Sequence, residues 1–266
     1  MIGRRASRID WPQYLDAYHG DRAGITERIL TSAVDRAHDS PYSWLVQPLR
    51  DTLGPILDLA TGSAPTRPLL SKSRWFGVDR SAGELALASA AGRGPLVRAS
   101  ADALPVADNA VAAVCAAMCL QVLPPLDAVV AELKRVLAPG GMIVALVPSR
   151  PYVADFGRHP AGMYAWYRVM RALGIGSQPW PNPHARDGLA RLLSAHGFTV
   201  VADQRRVFRR DIADPADAAL LIDGLYLPGV DSERIHQATR TLVSWAGPGR
   251  RLPLPLRRVV AHLPKS

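Results

Sequence analysis

Five short apolar runs alternate with segments of helical periodicity between residues 54 and 149. Each run is bounded by glycine, proline or polar residues, a pattern typical of strands that a parallel sheet buries on both faces. The runs read GPILDLA, SRWFGVD, GPLVRAS, AVAAVCAAM and GMIVALVPS. Because strands and helices alternate, the pattern predicts a parallel α/β sheet with right-handed crossovers.

The best marked helix lies between the fourth and fifth of these strands, in LDAVVAELKRVLAPGG. Its apolar positions share one helical face. They are Leu126, Val129, Val130, Leu133, Val136 and Leu137. Pro125 and Asp127 suit the first turn, and the segment Pro139 to Gly141 predicts the end of the helix.

The flanking segments complete the predicted architecture. Helical spacing predicts an N-terminal cap over residues 1–52, before a core over 53–150. Residues 151–184 predict an inserted lid, because they hold six aromatic side chains: Tyr152, Phe156, Tyr164, Trp166, Tyr167 and Trp180. Residues 185–266 predict a helix, a strand, two helices and a last strand of the same domain. The predicted fold is a Rossmann-like, doubly wound, mostly parallel seven-stranded sheet with a helical cap and a lid.

Composition places the chain among globular proteins, with 48% hydrophobic and 21% charged residues in 266. The longest apolar run, from Ala110, reaches only Leu123, which is shorter than the roughly 18 residues of a membrane helix. No apolar stretch follows the early arginines, so we expect a cytoplasmic protein without membrane association.

The net charge of +9 raises the question of a nucleic-acid partner. The basic clusters at 205–210 and 249–258 fall in predicted strands and a turn, where alternation would direct their arginines to solvent. A nucleic-acid partner is therefore not favoured. Cys115 and Cys119 are predicted to be two small buried side chains, and no ligand spacing predicts a metal.

The loop LDLATGSAP follows the first predicted core strand, where doubly wound sheets bind nucleotides. Gly62 stands where close backbone approach or a positive φ favours glycine. Ala60 and Ala64 occupy positions where glycine is commoner, and the added methyl group is tolerable there if φ is negative. Pro65 and Pro68 are predicted to lie near the first turn of a following helix.

An acidic residue lies at the spacing that a ribose site requires. Asp79 ends the second strand, 21 residues after Asp58. A carboxylate at about 20 residues from the loop accepts hydrogen bonds from ribose hydroxyls.

These features resemble the class I S-adenosylmethionine-dependent methyltransferases over roughly residues 55–150. LDLATGSAP resembles the first motif of that family, GVDRSAGELALA the second, and RASADALPVADNAV the third. The stretch from Cys115 to Pro148 resembles the family's fourth strand, helix and Pro-Gly-Gly hairpin. The order and spacing of all four make the resemblance specific.

The resemblance implies S-adenosyl-L-methionine as cofactor and assigns residues to it. The methionine part would be surrounded by Asp58, Ala60, Thr61, Gly62 and Ser63, and the ribose would be bound by Asp79 and Arg80. The adenine would lie beside Asp102 and Ala103, and the sulfonium end would be lined by Met118, Cys119 and Gln121. Two positions depart from the family pattern. Ala112 stands where an acid is frequent, and Gln121 where histidine is frequent.

Methyl transfer from a sulfonium needs positioning more than catalytic side chains, although a hydroxyl acceptor benefits from a general base. The cap often closes over the methyl group in this family, so His19 and Tyr18 are the first candidates. Further candidates are Tyr14, His159, Tyr164, Tyr167 and His184. The aromatic lid favours a small apolar or aromatic acceptor such as a polyketide, a quinone or another secondary metabolite.

Three alternatives remain open. A nicotinamide-dependent oxidoreductase could use Asp58 and Asp79 equally well, although the Pro-Gly-Gly hairpin and the ADALP segment argue against it. A cofactor-binding protein without catalysis fits the missing glycines. An RNA methyltransferase is less favoured, and a steep loss of binding with salt would identify it.

Overall fold

The computed structural model describes residues 9–157 and 161–265, which form one eight-stranded sheet in the order β1-β7-β8-β6-β5-β2-β3-β4. The strands are β1 Ala33–Val34, β2 Pro55–Leu59, β3 Arg74–Asp79, β4 Leu96–Arg98, β5 Val111–Ala117, β6 Leu137–Pro148, β7 Thr199–Asp211 and β8 Arg251–His262. Strands β2 to β6 pair in parallel, and the pairs that involve β1, β7 and β8 are antiparallel.

The α-helices within the described residues are α1 Trp11–Asp21, α2 Ile25–Thr31, α3 Pro41–Val46, α4 Ala82–Ala90, α5 Leu126–Val136, α6 Ala161–Leu173, α7 Ala185–Ala195, α8 Pro215–Asp223 and α9 Ser232–Val243. None of these helices is long and apolar enough to cross a membrane.

The Rossmann-like α/β prediction is confirmed, but the predicted number of seven strands is wrong. All seven predicted strands are present, and the eighth is β1, which lies inside a segment predicted to be helical. Helix α2 ends at Thr31, and the chain then extends so that Ala33 and Val34 pair with Arg210 and Arg209 of β7. A two-residue edge strand has too little pattern to be distinguished from the end of a helix.

Two hydrophobic clusters cover the two faces of the sheet, as strand alternation requires. Leu57 and Leu59 of β2 pack with α5 and α7, whereas Ile56 packs on the other face with the cap helix α3. A third cluster joins α6 to α8 and α9. Helix α6, which belongs to the segment predicted to be a lid, therefore packs against helices from the C-terminal part of the chain.

The expected helix after the first loop is replaced by one short 3-10 turn, Arg67–Leu70. Pro65 and Pro68 have no amide hydrogen to donate, and most of the bonds in this turn span three residues. The Arg67 amide donates to the Ala64 carbonyl, three residues earlier, across 3.2 Å.

Two arginines that were predicted to face solvent are buried. Arg210 is 3% exposed, and its guanidinium donates to the Ser32 hydroxyl and, across 3.4 Å, to the Ile29 carbonyl at the end of α2. Arg258 is 7% exposed, donates to the Trp44 carbonyl, and lies 4.7 Å from the centre of the Trp44 ring. Both guanidinium groups donate hydrogen bonds to carbonyl groups near helix ends. Strand alternation cannot predict these contacts because they depend on tertiary packing.

Candidate active site

A cavity of about 140 Å³ lies at the carboxyl ends of β2, β3 and β5, and we call it the inner cavity. One face of α1, with Pro12, Leu15, Asp16 and His19, closes over it. Ten of the twelve predicted cofactor residues line this cavity: Asp58, Ala60, Thr61, Gly62, Ser63, Asp79, Arg80, Asp102, Met118 and Cys119. The structure thus brings together motifs that are spread over 60 residues of sequence.

The first loop keeps a glycine-type backbone although two of its residues are alanines. Ala60, Gly62 and Ala64 have φ values of 49°, 56° and 56°. The negative φ at which alanine is readily tolerated is therefore present at neither position. A left-handed conformation costs an alanine on the order of 1 kcal/mol. Ala64 is fully buried in the cluster that contains α3, and this packing offsets part of that cost.

Asp58 lies below this loop with 1% of its surface exposed. Its Oδ2 accepts a hydrogen bond from the Thr66 hydroxyl. Among the described residues, its Oδ1 and the neighbouring Thr61 Oγ1 have no hydrogen-bond partner although both are buried. Burial raises the pKa of Asp58 to about 7. A bound ammonium group would satisfy the free carboxylate oxygen and favour its ionised form.

Asp79 connects the loop to the end of β3. Its Oδ2 accepts from the Gly62 amide across 2.7 Å, and its Oδ1 accepts from the Ser81 amide across 2.8 Å. Burial raises its pKa above the ordinary value. Each carboxylate oxygen has a second lone pair, so Asp79 can still accept from a ligand hydroxyl.

The neighbouring Arg80 forms an exposed ion pair with Asp16 of α1, and this contact holds the cap helix over the inner cavity. Surface pairs of this kind contribute about 1 kcal/mol at most. The cap is therefore attached at this point by a weak contact.

Of the two residues assigned to adenine, one lines the inner cavity and the other does not. Ser100, Ala101 and Asp102 line the inner cavity, whereas Ala103 does not. The amide of Ala103 donates to the Ser100 carbonyl across 3.2 Å and closes a tight turn, which directs Ala103 away from the cavity.

The segment after β5 faces two cavities. Met118, with φ of 57°, and Cys119 line the inner cavity. Gln121, also assigned to the sulfonium end, lines a second cavity instead. Its amide nitrogen donates to the Met118 carbonyl across 2.6 Å, which turns the side chain away from the inner cavity.

This second, outer cavity has a volume of about 540 Å³ and is mainly apolar. Aromatic side chains from the predicted lid line it: Tyr152, Phe156, Trp166, Tyr167 and Trp180. Thr26, Met118 and Tyr226 border both cavities, and we call these three residues the shared wall. A molecule in the outer cavity therefore meets the inner cavity at this wall.

The outer cavity also contains polar atoms that lack partners among the described residues. They are Oε1 of Gln121, both side-chain amide atoms of Gln178, and the indole nitrogen of Trp180. Buried polar atoms are costly when unpaired. A ligand with an apolar frame and a few polar substituents would satisfy them.

The predicted catalytic residues His19 and Tyr18 differ in position. His19 lines the inner cavity, with its Nδ1 2.9 Å from Glu84 Oε1 and its Nε2 3.2 Å from the Tyr226 hydroxyl. Tyr18 lines neither the inner nor the outer cavity, because its hydroxyl donates to the Asp223 carbonyl across 2.8 Å. We therefore retain His19 and drop Tyr18 as a candidate base.

The remaining candidates are dispersed. Tyr167 lines the outer cavity, whereas Tyr164 is 64% exposed and, like Tyr14 and His184, borders neither cavity. The Tyr14 hydroxyl accepts from the Leu227 amide across 2.8 Å, which gives it a structural role. His159 lies outside the described residues.

Glu84 and Tyr226 are functional candidates that sequence reasoning missed. Glu84 stands five positions after Asp79 and carries the ordinary signal of a helix first turn. Tyr226 lies in the turn after α8, and only the tertiary fold brings it to His19. No local pattern could have found it.

The inner cavity and the sheet order define a class of protein, and comparison with known families agrees. The family model described as a methyltransferase domain matches residues 57–145. This match confirms the resemblance of that segment to the class I S-adenosylmethionine-dependent methyltransferases.

One relative matches a longer segment of the chain. The chain is 40% identical over 143 residues to a demethylmenaquinone methyltransferase of Mycolicibacterium paratuberculosis. That match spans 53% of this chain and 60% of the length of the relative.

Two solved structures show a similar fold. The cyclase SpnF has a TM-score of 0.58 at 17% identity, with 93% of this chain and 95% of that chain covered. A type II methyltransferase candidate from Anaeromyxobacter dehalogenans has a TM-score of 0.58 at 19% identity, with 84% and 94% covered.

Proposed function

We propose that the protein transfers a methyl group from S-adenosyl-L-methionine to a small apolar or aromatic molecule held in the outer cavity. The observation that carries this proposal is the shared wall. A cavity built from the cofactor motifs and a larger apolar cavity meet at Thr26, Met118 and Tyr226. Donor and acceptor sites must adjoin in this way for an in-line displacement.

The residues of the inner cavity fit the cofactor. The unpartnered Asp58 Oδ1 would accept from its ammonium group, and the Asp79 carboxylate from its ribose hydroxyls. Ala101 and Asp102 would flank the adenine. When bound, the cofactor supplies a methyl group on a positively charged sulfur, which needs no metal for activation.

The protein's own contribution is to orient the two molecules and to exclude water. The shared wall fixes where the acceptor atom approaches, and the apolar lining of the outer cavity keeps the reacting centre dry. Such positioning accounts for most of the rate enhancement that a reaction with a built-in leaving group requires.

The outer cavity supports an apolar or aromatic acceptor. Its aromatic lining matches flat ring systems, and its unpartnered polar atoms match a few polar substituents. The name of the mycobacterial relative, demethylmenaquinone methyltransferase, points to a quinone as that protein's acceptor and supports the same chemical class here.

Neighbouring tyrosines on α6 provide a matched test. Tyr167 lines the outer cavity and is 59% exposed, whereas Tyr164 is 64% exposed and does not line it. With 1-naphthol as acceptor and S-adenosylhomocysteine release as readout, Tyr167→Ala should raise KM roughly tenfold, and Tyr164→Ala should leave it unchanged.

Calorimetric titration with S-adenosylhomocysteine and, separately, with NADH tests the cofactor. Binding of S-adenosylhomocysteine alone supports the proposal, and binding of NADH alone would replace it with an oxidoreductase. Binding without methylation of 1-naphthol or of any other aromatic acceptor would indicate a non-catalytic protein.

A further inference from the structure

We infer that Glu84, His19 and Tyr226 form a proton relay that accepts the proton of an aromatic hydroxyl acceptor during methyl transfer. This inference rests on the proposed function. It assigns a catalytic role to Tyr226, which borders the acceptor cavity, and positioning roles to His19 and Glu84, which act through Tyr226.

The first contact of the relay joins a buried carboxylate to an imidazole. Glu84 is 3% exposed, and its Oε1 lies 2.9 Å from His19 Nδ1. Its other oxygen accepts from the Gly24 amide across 3.0 Å. Both carboxylate oxygens are thus engaged, which fixes the Glu84 side chain. An ionised carboxylate can only accept, so His19 Nδ1 carries the proton of this bond.

The second contact follows from the first. With its proton on Nδ1, a neutral His19 has its lone pair on Nε2, which lies 3.2 Å from the Tyr226 hydroxyl. The Tyr226 hydroxyl therefore donates to His19. Its oxygen keeps lone pairs that can accept a proton from another molecule.

The position of Tyr226 determines what that molecule is. Tyr226 borders both cavities, whereas His19 borders only the inner one. An acceptor in the outer cavity can therefore reach Tyr226 but not His19. Burial raises the pKa of Tyr226, so the phenol does not ionise by itself and acts by passing its proton on.

The proposed step is balanced. The proton of the acceptor hydroxyl moves to Tyr226 Oη while the original Tyr226 proton moves to His19 Nε2, which produces an imidazolium beside the Glu84 carboxylate. A bond forms between the acceptor oxygen and the methyl carbon as the carbon–sulfur bond breaks, and the sulfur keeps the electron pair. The products are a methyl ether and S-adenosylhomocysteine.

Other ionisable groups surround the relay. Asp79 faces it from the end of β3, and Tyr14 and Tyr18 face it from α1. Arg22 lies with its guanidinium carbon 5.3 Å from the centre of the Tyr18 ring. Asp79 and Glu84 supply negative charge close to His19. Their carboxylates would attract the positive charge that the step places on the ring.

Nitrogen-15 NMR of histidine-labelled protein tests the relay without turnover, with His19→Gln to assign the signal. At mildly alkaline pH, the relay requires a proton on His19 Nδ1 and a bare Nε2. Glu84→Gln should convert this single tautomer to a mixture. A proton on Nε2 in the native protein, or no response to Glu84→Gln, would overturn the inference.

Turnover of two probes tests the catalytic role. Tyr226→Phe should lower kcat for 1-naphthol by about 100-fold. For 4-nitrophenol, a much stronger acid that ionises unaided, the loss should be less than roughly tenfold. Tyr18, whose ring centre lies 4.6 Å from that of Tyr226, borders neither cavity, so Tyr18→Phe should change neither rate.

These outcomes distinguish a failure of the proposed function from a failure of the relay. Failure to bind S-adenosylhomocysteine would remove the proposed function itself. Binding without methylation of any aromatic acceptor by the native protein would remove its catalytic part. Intact binding and methylation, with equal losses for both probes in Tyr226→Phe, would overturn only the relay.

Discussion

The backbone amide of Gly62 donates a 2.7 Å hydrogen bond to the Oδ2 of Asp79. This bond joins the loop after β2 to the end of β3, so the residue that is expected to bind ribose also fixes the loop beside it. The loop geometry and the proposed recognition of ribose consequently depend on one carboxylate.

Replacement of Asp79 should affect cofactor binding more than it affects folding. Asp79→Ala removes two bonds to backbone amides and the ribose acceptor, and we expect the affinity for S-adenosylhomocysteine to fall at least about 100-fold. Asp79→Asn, which keeps one acceptor oxygen, should lose less. Calorimetry measures both variants. Asp127→Ala, at a side chain that is 87% exposed, is the control and should bind normally. Unchanged affinity in Asp79→Ala would exclude the ribose role.

Cofactor affinity should depend on pH through Asp58. Burial raises its pKa to about 7, and only the ionised form attracts an ammonium group. Affinity for S-adenosylhomocysteine should therefore be full above pH 7 and fall by up to about tenfold per pH unit below it. Asp58→Asn should bind more weakly with a flatter profile, and the raised pKa of Asp79 accounts for the remaining slope. An equally steep profile in Asp58→Asn would contradict the assignment.

The left-handed alanine at position 60 predicts an unusual response to glycine. Ala60→Gly relieves about 1 kcal/mol of backbone strain but increases unfolded-state entropy by a similar amount. The free energy of unfolding should therefore change by less than about 0.5 kcal/mol. Ala113→Gly in β5, a buried position that lacks a positive φ, should lose at least about 1.5 kcal/mol. Urea denaturation compares the two, and equal losses would show that Ala60 is not strained.

The buried guanidinium of Arg210 should be important for stability. Arg210→Met keeps much of the apolar stem but leaves the carbonyls at the end of α2 without their donor, at a cost of about 2 kcal/mol. Arg251→Met, at an exposed arginine paired with Asp211, should cost less than about 0.5 kcal/mol. Thermal denaturation of both variants measures the difference. A similar small effect at both positions would mean that Arg210 is replaceable.

The sequence predicted what depends on local periodicity and on the order of motifs. The core strands, helix α5 and most residues of the inner cavity follow from apolar runs and from the spacing of Asp58 and Asp79. Tertiary packing determined the rest. Strand β1 exists because β7 is beside it, and the burial of Arg210 depends on a helix end that is distant in sequence.

The loop shows the limit of residue-type rules. Residue type alone favours a negative φ for alanine, but Ala60 and Ala64 both lie in the left-handed region, where each packs against a hydrophobic cluster. The contact between His19 and Tyr226 joins positions 207 residues apart, and no one-dimensional pattern encodes it.

The shared wall combines residues from two parts of the chain. Of its three residues, only Met118 falls within the segment 57–145 that the methyltransferase family has in common. Thr26 and Tyr226 come from the flanking segments, which also supply nearly all of the outer cavity. On the proposed function, substitutions in these flanks should change the acceptor while the residues that bind the donor stay intact. The choice of acceptor would then depend mainly on residues outside the segment that matches the family model.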